Sequence, residues 1–166
     1  MAQEAGVNHG LVHYYFGSME ELLVEVLERF TERLIERQRA MYSADIPFSE
    51  KWRAAWSFHD QDLEAGYPKI WYELQALAWN RPELRERVAR VNGEWRAVLG
   101  EALAQARLEY GRESDDDPPP EAMLTLVMLI AQGAQIERLS GIDTGHGELL
   151  AWIDHWLEQQ EARTKA

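Results

Sequence analysis

The residues best suited to chemistry stand near the start of the chain, in the run Ala5-Gly6-Val7-Asn8-His9-Gly10-Leu11-Val12-His13-Tyr14-Tyr15-Phe16-Gly17-Ser18. The chemistry they suit is hydrogen bonding to a nucleic acid. Gly6 can adopt the positive φ of a tight turn between two helices. Asn8 can cap a short second helix through its side-chain carbonyl. That helix would turn Leu11 inward and carry His9, His13 and Tyr14 toward the other side. A short helix entering the major groove reads base edges with its N-terminal residues. Asn8, His9, His13 and Tyr14 are therefore candidate base contacts. Gly10 belongs to the same DNA-binding set, and Tyr15 is a candidate phosphate contact. Gly17 breaks the helix, and Ser18-x-x-Glu21 is a capping box that opens the next one.

A second group suits a small molecule. Trp56, His59, Trp71, Tyr72, Gln75, Trp79, Trp95, Met128, Gln132 and Gln135 come from four helices that can converge. Ligand pockets are mainly apolar, with a few polar groups that fix orientation. The plainer reading is an ordinary core with tryptophans at its margins. If a pocket forms, its ligand is expected to be largely apolar, aromatic or planar, held by one or two hydrogen bonds. An anion buried without a cation would be costly, and Lys69 and Arg138 are the nearest cations by sequence.

Other chemistries find little support. His9 and His13 are four apart, a spacing that can chelate a metal on a helix. His59 lies beside Asp60 and Asp62, and Asp154 precedes His155. None of these spacings completes a ligand set or fixes an acid–base pair. There is no Gly-rich phosphate loop, nucleophile elbow or paired-carboxylate motif. The chain has no cysteine, which removes disulfides, thiolate catalysis and Cys-based zinc sites. No catalytic residue, metal or cofactor is expected. The net charge of −12 argues against a general nucleic-acid or membrane-surface binder, though a local patch can still act. No apolar run reaches transmembrane length and no signal-peptide pattern is present, which fits a cytoplasmic protein.

The elements that must position these residues are all helical. Leu22, Leu23, Val26, Leu27, Phe30, Leu34 and Ile35 recur at helical spacing and predict a helix from Ser18 to about Ala44. Glu25 and Arg29 form an i,i+4 pair on it. Asp45-Ile46-Pro47 ends it. A helix over 49–65 stops at Gly66, and Tyr67-Pro68 opens a shorter one through Ala78. Pro82 starts a long amphipathic helix reaching Tyr110. The acidic, proline-rich stretch from Gly111 to Pro120 reads as an extended connection. The segment 121–140 is apolar around most of its circumference, so most of its faces are expected to be buried. A Gly-rich turn leads to a last helix over 148–162. No strand signature or internal repeat is found.

The run Ala5-Gly6-Val7, Gly10, Tyr15-Phe16 and Ser18 with Glu20-Glu21-Leu22-Leu23 resembles the TetR family of transcriptional regulators. The motif covers about the first third of the chain. The rest is similar only in its helical layout. Two positions depart from the family pattern, His13 where an aromatic is usual and Met19 where a lysine is usual. The resemblance also implies an amphipathic helix and most of a second ahead of the Ala-Gly-Val turn. Only Met1 to Glu4 precede it here, and no Lys or Arg occurs before Arg29. Phosphate neutralisation supplies much of the affinity for DNA. The expectation is an N-terminally truncated unit, its first helix missing, whose operator binding is weak or lost.

The expected fold is all-α, a partial helix-turn-helix with its connecting helix over 1–44 and a helical ligand-binding and dimerisation domain over 45–166. The resemblance implies a ligand-responsive regulator, a repressor in its expected mode, that binds operator DNA as a homodimer and leaves it when a small molecule binds. Its last two helices would form a four-helix bundle with a second copy. Leu126, Ile130, Leu149, Trp152, Ile153 and Trp156 are the candidate dimer contacts. Two rival readings stand beside this one: a helical sensor or dimerisation module without DNA binding, and an α-helical enzyme using His59 and nearby carboxylates.

Overall fold

The computed structural model describes residues 14–111 and 117–164. Six helices follow a helical turn at 14–16: α1 (Met19–Tyr42), α2 (Phe48–Glu64), α3 (Tyr67–Ala78), α4 (Pro82–Glu109), α5 (Pro120–Leu139) and α6 (His146–Thr164). The described residues contain no strand, and the fold is all-α. Asn8, His9, Gly10 and His13 lie outside the described residues.

Local signals account for the helix ends. Gly17 has φ +74°, and Ser18 is extended, its Oγ accepting from the Glu21 amide at 3.1 Å. The other half of the expected capping box is replaced, because the Glu21 carboxylate accepts from Arg87 Nη1 at 2.6 Å instead. Gly66, at φ +82°, separates α2 from α3. Proline occupies the first turn of α3, α4 and α5, where its missing N–H costs nothing.

Two apolar clusters are bridged by α4. The first joins Val24, Leu27 and Leu34 of α1 to Tyr67, Trp71, Leu74 and Ala78 of α3 and to Leu84 and Val91 of α4. The second joins Phe48 and Trp52 of α2, Ala102 and Ala106 of α4 and Leu157 of α6, with Trp56, Ile153 and Trp156 packed against it. Leu84, Val91, Val98, Ala102 and Ala106 are the buried stripe of α4, at the spacing an amphipathic helix requires. Each large aliphatic side chain so buried contributes about 1.5–3 kcal/mol.

Polar contacts fix how α1 and α6 lie on this frame. Thr31 Oγ1 and Tyr67 Oη share a buried hydrogen bond at 2.9 Å. Arg37 grips Asp62 with two bonds, 2.8 and 2.7 Å, while its guanidinium covers the Phe58 ring at 4.2 Å. Arg87 and Arg90 of α4 both pair with Glu28 of α1. Glu161 of α6 accepts from the Ser49 amide at 2.9 Å and the Tyr110 hydroxyl at 3.1 Å. It thereby supplies a cap for α2, whose N-cap residue is Pro47 and cannot.

Helix α5 departs from expectation. None of its residues is fully buried, and Leu126, Leu129 and Ile136 are about half exposed or more. Its apolar wrap exceeds what α4 and the other helices cover, so its outer side faces solvent in the single chain.

Candidate functional site

Of the candidate DNA-contact residues, Tyr14 and Tyr15 are described. They are 81% and 71% exposed and meet edge to face at 5.0 Å. Gly17 and the Ser18 cap place them directly ahead of α1, so their hydroxyls are free to meet an external partner. Glu25 and Arg29 on α1 meet at 2.6 Å as expected, and such exposed pairs contribute little.

Five of the ten candidate ligand residues come together between α2, α3 and α5. His59 Nδ1 lies 2.9 Å from Gln135 Nε2. The amide must donate there, so neutral His59 carries its proton on Nε2. The other end of the same amide, Gln135 Oε1, accepts from the Tyr72 hydroxyl at 3.1 Å, and that hydroxyl also faces the Gln132 carbonyl at 3.2 Å. Trp56 packs on the His59 ring at 5.0 Å and meets Trp52 at 5.6 Å. Burial pushes His59 down from 6.5 to about 4; Arg138 and Arg37 add to this and Asp60 opposes it. The imidazole is thus neutral near pH 7. Burial also raises the Tyr72 hydroxyl to about 12.

The other five lie elsewhere or apart. Trp71 is a core residue, 5% exposed, beside a void of about 10 Å³ shared with Val24, Leu27 and Leu74, room for no more than a water. Trp95 packs against the same cluster. Gln75 is half-buried, and its Nε2 has no hydrogen-bond partner among the described residues. Met128 is half-buried on α5. Trp79 is 72% exposed. It follows the last residue of α3, its carbonyl accepts from Arg85 at 2.9 Å, and its side chain faces solvent rather than the pocket wall assigned to it.

An open groove of about 300 Å³ adjoins Trp56 from the other side. It is lined by Trp56, Asp60, Ile130, Ala134, Arg138, Asp143, His146, Gly147, Leu149 and Leu150. The sequence reading missed its turn residues, Asp143, His146 and Gly147. The Gly-rich stretch 141–147 was their only signal, and it marks a turn without showing what the turn faces.

The carboxylates near His59 and His155 in sequence are engaged by arginines. Asp60 pairs with Arg138, Asp62 with Arg37, and Asp154 with Arg53. His155 faces Gln159 at 2.8 Å. The His59–Asp60 acid–base pair of the enzyme reading is therefore not assembled. Among the described residues no three His, Asp or Glu side chains gather into a metal-sized group, and none of the helices is long and apolar enough to cross a membrane.

Of the candidate dimer contacts, Leu126, Leu149 and Trp152 are exposed, Trp152 by 66%. Ile130 is half-buried and lines the groove. Ile153 and Trp156 pack against the second core cluster within the chain.

The described residues define a class by fold alone, an all-helical chain with an exposed aromatic end, a glycine break and a capped long helix that leads into a helical bundle. Residues 1–26, which include that end and the first turns of α1, match the family model for bacterial regulatory proteins of the tetR family. The start of the chain is thus similar to the DNA-binding unit of that family. No curated protein and no solved structure shows a significant match to the chain.

Proposed function

We propose that the chain acts as a ligand-responsive repressor, a homodimer that holds operator DNA and releases it when a small apolar or aromatic molecule binds between α2, α3 and α5. Asn8, His9, Gly10, His13, Tyr14 and Tyr15 are the DNA-reading set. Residues 1–44 form the reading unit with its connecting helix, and 45–166 the sensing and dimerisation part. Pairing runs through α5 and α6, centred on Leu126, Leu149 and Trp152.

The observation that carries this reading is the hydrogen-bonded row His59–Gln135–Tyr72 in an aromatic setting. It joins three helices through neutral groups that can exchange partners with a ligand without stranding a buried charge. His59 and Asp60 are close in sequence to Asp62, whose grip on Arg37 ties α2 to α1. A ligand that shifts α2 therefore acts on the helix that leads to the reading unit, provided it binds the two states with different affinity.

The test is selection of genomic fragments by the immobilised full chain, followed by gel shift and light scattering. Retention of a fragment with two half-sites by a dimer supports the reading. Retention of none, or a monomeric mass at micromolar concentration, overturns it.

A further inference from the structure

We propose that the groove between α2, α5 and the start of α6 is a binding site for an amphipathic organic cation, a molecule with one apolar or aromatic body and one ammonium-type head. This groove is a second site, distinct from the one proposed between α2, α3 and α5, with Trp56 at the boundary of the two.

The volume, about 300 Å³, lies at the lower end of the range for small-molecule sites. Its body-binding part is Trp56, Ile130, Ala134 and Leu150, with Leu149 on the rim toward the proposed dimer contact. Trp56 is held in place by His59 and Trp52, so this wall is preorganised. The charged groups around the groove decide the sign of the head. Arg138, its one guanidinium, is already paired with Asp60. His146 Nε2 is 2.7 Å from Glu137. Asp143 lines the groove, and its carboxylate makes no ion pair among the described residues. Of the carboxylates that line the groove, Asp60 is matched by Arg138 and Asp143 is left over. The positive end of α6 opens at Gly147, but Glu148 in its first turn and Asp143 before it already answer that dipole. An anion entering here would find its cation engaged and Asp143 opposing it. A cation finds Asp143 available, and the net charge of −12 over the chain draws it in.

Calorimetric titration of the full chain with phenylbutylamine, phenylbutanol and phenylbutyrate separates the possibilities. The three share a body and differ in the head. The amine should bind at least about fivefold more tightly than the carboxylate, with the alcohol between them. Asp143→Asn, a change at an exposed position, should weaken the amine about three- to fivefold and leave the alcohol within about twofold. Ala134→Trp should fill the groove and abolish all three. Equal or tighter binding of the carboxylate overturns the proposal, as does an Asp143→Asn variant that binds the amine unchanged. So does absence of binding by all three at millimolar concentration. Light scattering is run beside it. If Asp143→Asn changes the mass of the chain, a second copy covers the groove and the small-molecule site is refuted. None of these readouts uses DNA, so the site can fail while the regulator reading stands, and failure to retain any operator leaves these titrations unaffected.

Discussion

His59 makes the fold sensitive to mild acid, and the size of the effect can be worked out. A free imidazole titrates near 6.5, whereas burial lowers His59 to about 4. The difference corresponds to about 3 kcal/mol once the native state is fully protonated. Between those values the unfolded chain binds a proton that the native chain does not. Stability therefore falls as pH drops through this window, and at about pH 5 the loss due to His59 is about 2 kcal/mol relative to about pH 7.5. Protonation also converts Nδ1 from acceptor to donor and sets it against the Gln135 amide. Two other groups act in the same region. Asp62, raised chiefly by burial, gains in stability as pH falls. Glu28, lowered chiefly by its bond to Arg87, loses only at more acid pH. Both are common to the native chain and a His59→Asn variant, whose Oδ1 can still accept from Gln135. Urea unfolding followed by tryptophan fluorescence should show a midpoint falling by roughly 1 M between about pH 7.5 and 5 in the native chain. The variant should lack most of that fall. Parallel losses in the two proteins refute the argument. If the variant does not fold, an NMR titration of the native chain decides, since a His59 resonance titrating near 6.5 is incompatible with it.

The helical frame was legible because each boundary carries its own chemistry. Ser18, Gly66, Pro68, Pro82 and the Gly141 turn act on adjacent residues, and the observed ends lie within about two residues of those expected. The row His59–Gln135–Tyr72 was legible as a set but not as a geometry. Neutral polar residues on apolar helical faces mark it, while which partner each one takes depends on how α5 lies on α2 and α3. Trp79 and Trp71 show the limit. Both looked like pocket walls, yet one lies just past a helix end and faces water, and the other sits on the stripe of α3 that α1 and α4 cover. Periodicity cannot distinguish these outcomes, since it specifies a face and not what covers it. The same limit explains α5, where an apolar circumference predicted burial that the single chain does not provide. It also hid the bridge from Arg87 to Glu21 and Glu28, whose partners lie 66 and 59 residues away.

Trp71→Ala should cost about 3–5 kcal/mol in chemical unfolding, as expected for a buried aromatic; a loss under about 1 kcal/mol would contradict its place in the core. Trp152→Glu should halve the mass in light scattering with little change in monomer stability. It is a cleaner probe than Ile153→Glu, whose side chain also packs within the chain. Replacing Tyr14 and Tyr15 by Phe should weaken operator binding in gel shifts. The slope of affinity against salt should stay shallow, because no Lys or Arg occurs before Arg29; a steep slope would show that cations elsewhere hold the phosphates. The last expectation concerns the junction between α1 and α4. Arg87 bonds to Glu28 and Glu21 from a position only 27% exposed, and Arg90 shares Glu28. Arg87→Met keeps the apolar stem and removes both charge-assisted bonds. A double-mutant cycle with Glu28→Gln should give a coupling of about 1 kcal/mol, more than an isolated surface pair because the charges form a partly shielded network. Hydrogen exchange should quicken in the first turns of α1, which Arg87 holds against α4, and stay unchanged around Leu34. Unaltered protection there would mean that apolar contacts at Val24 and Leu27 alone fix this end of α1, and that the charge cluster does not transmit movement between α4 and the reading unit.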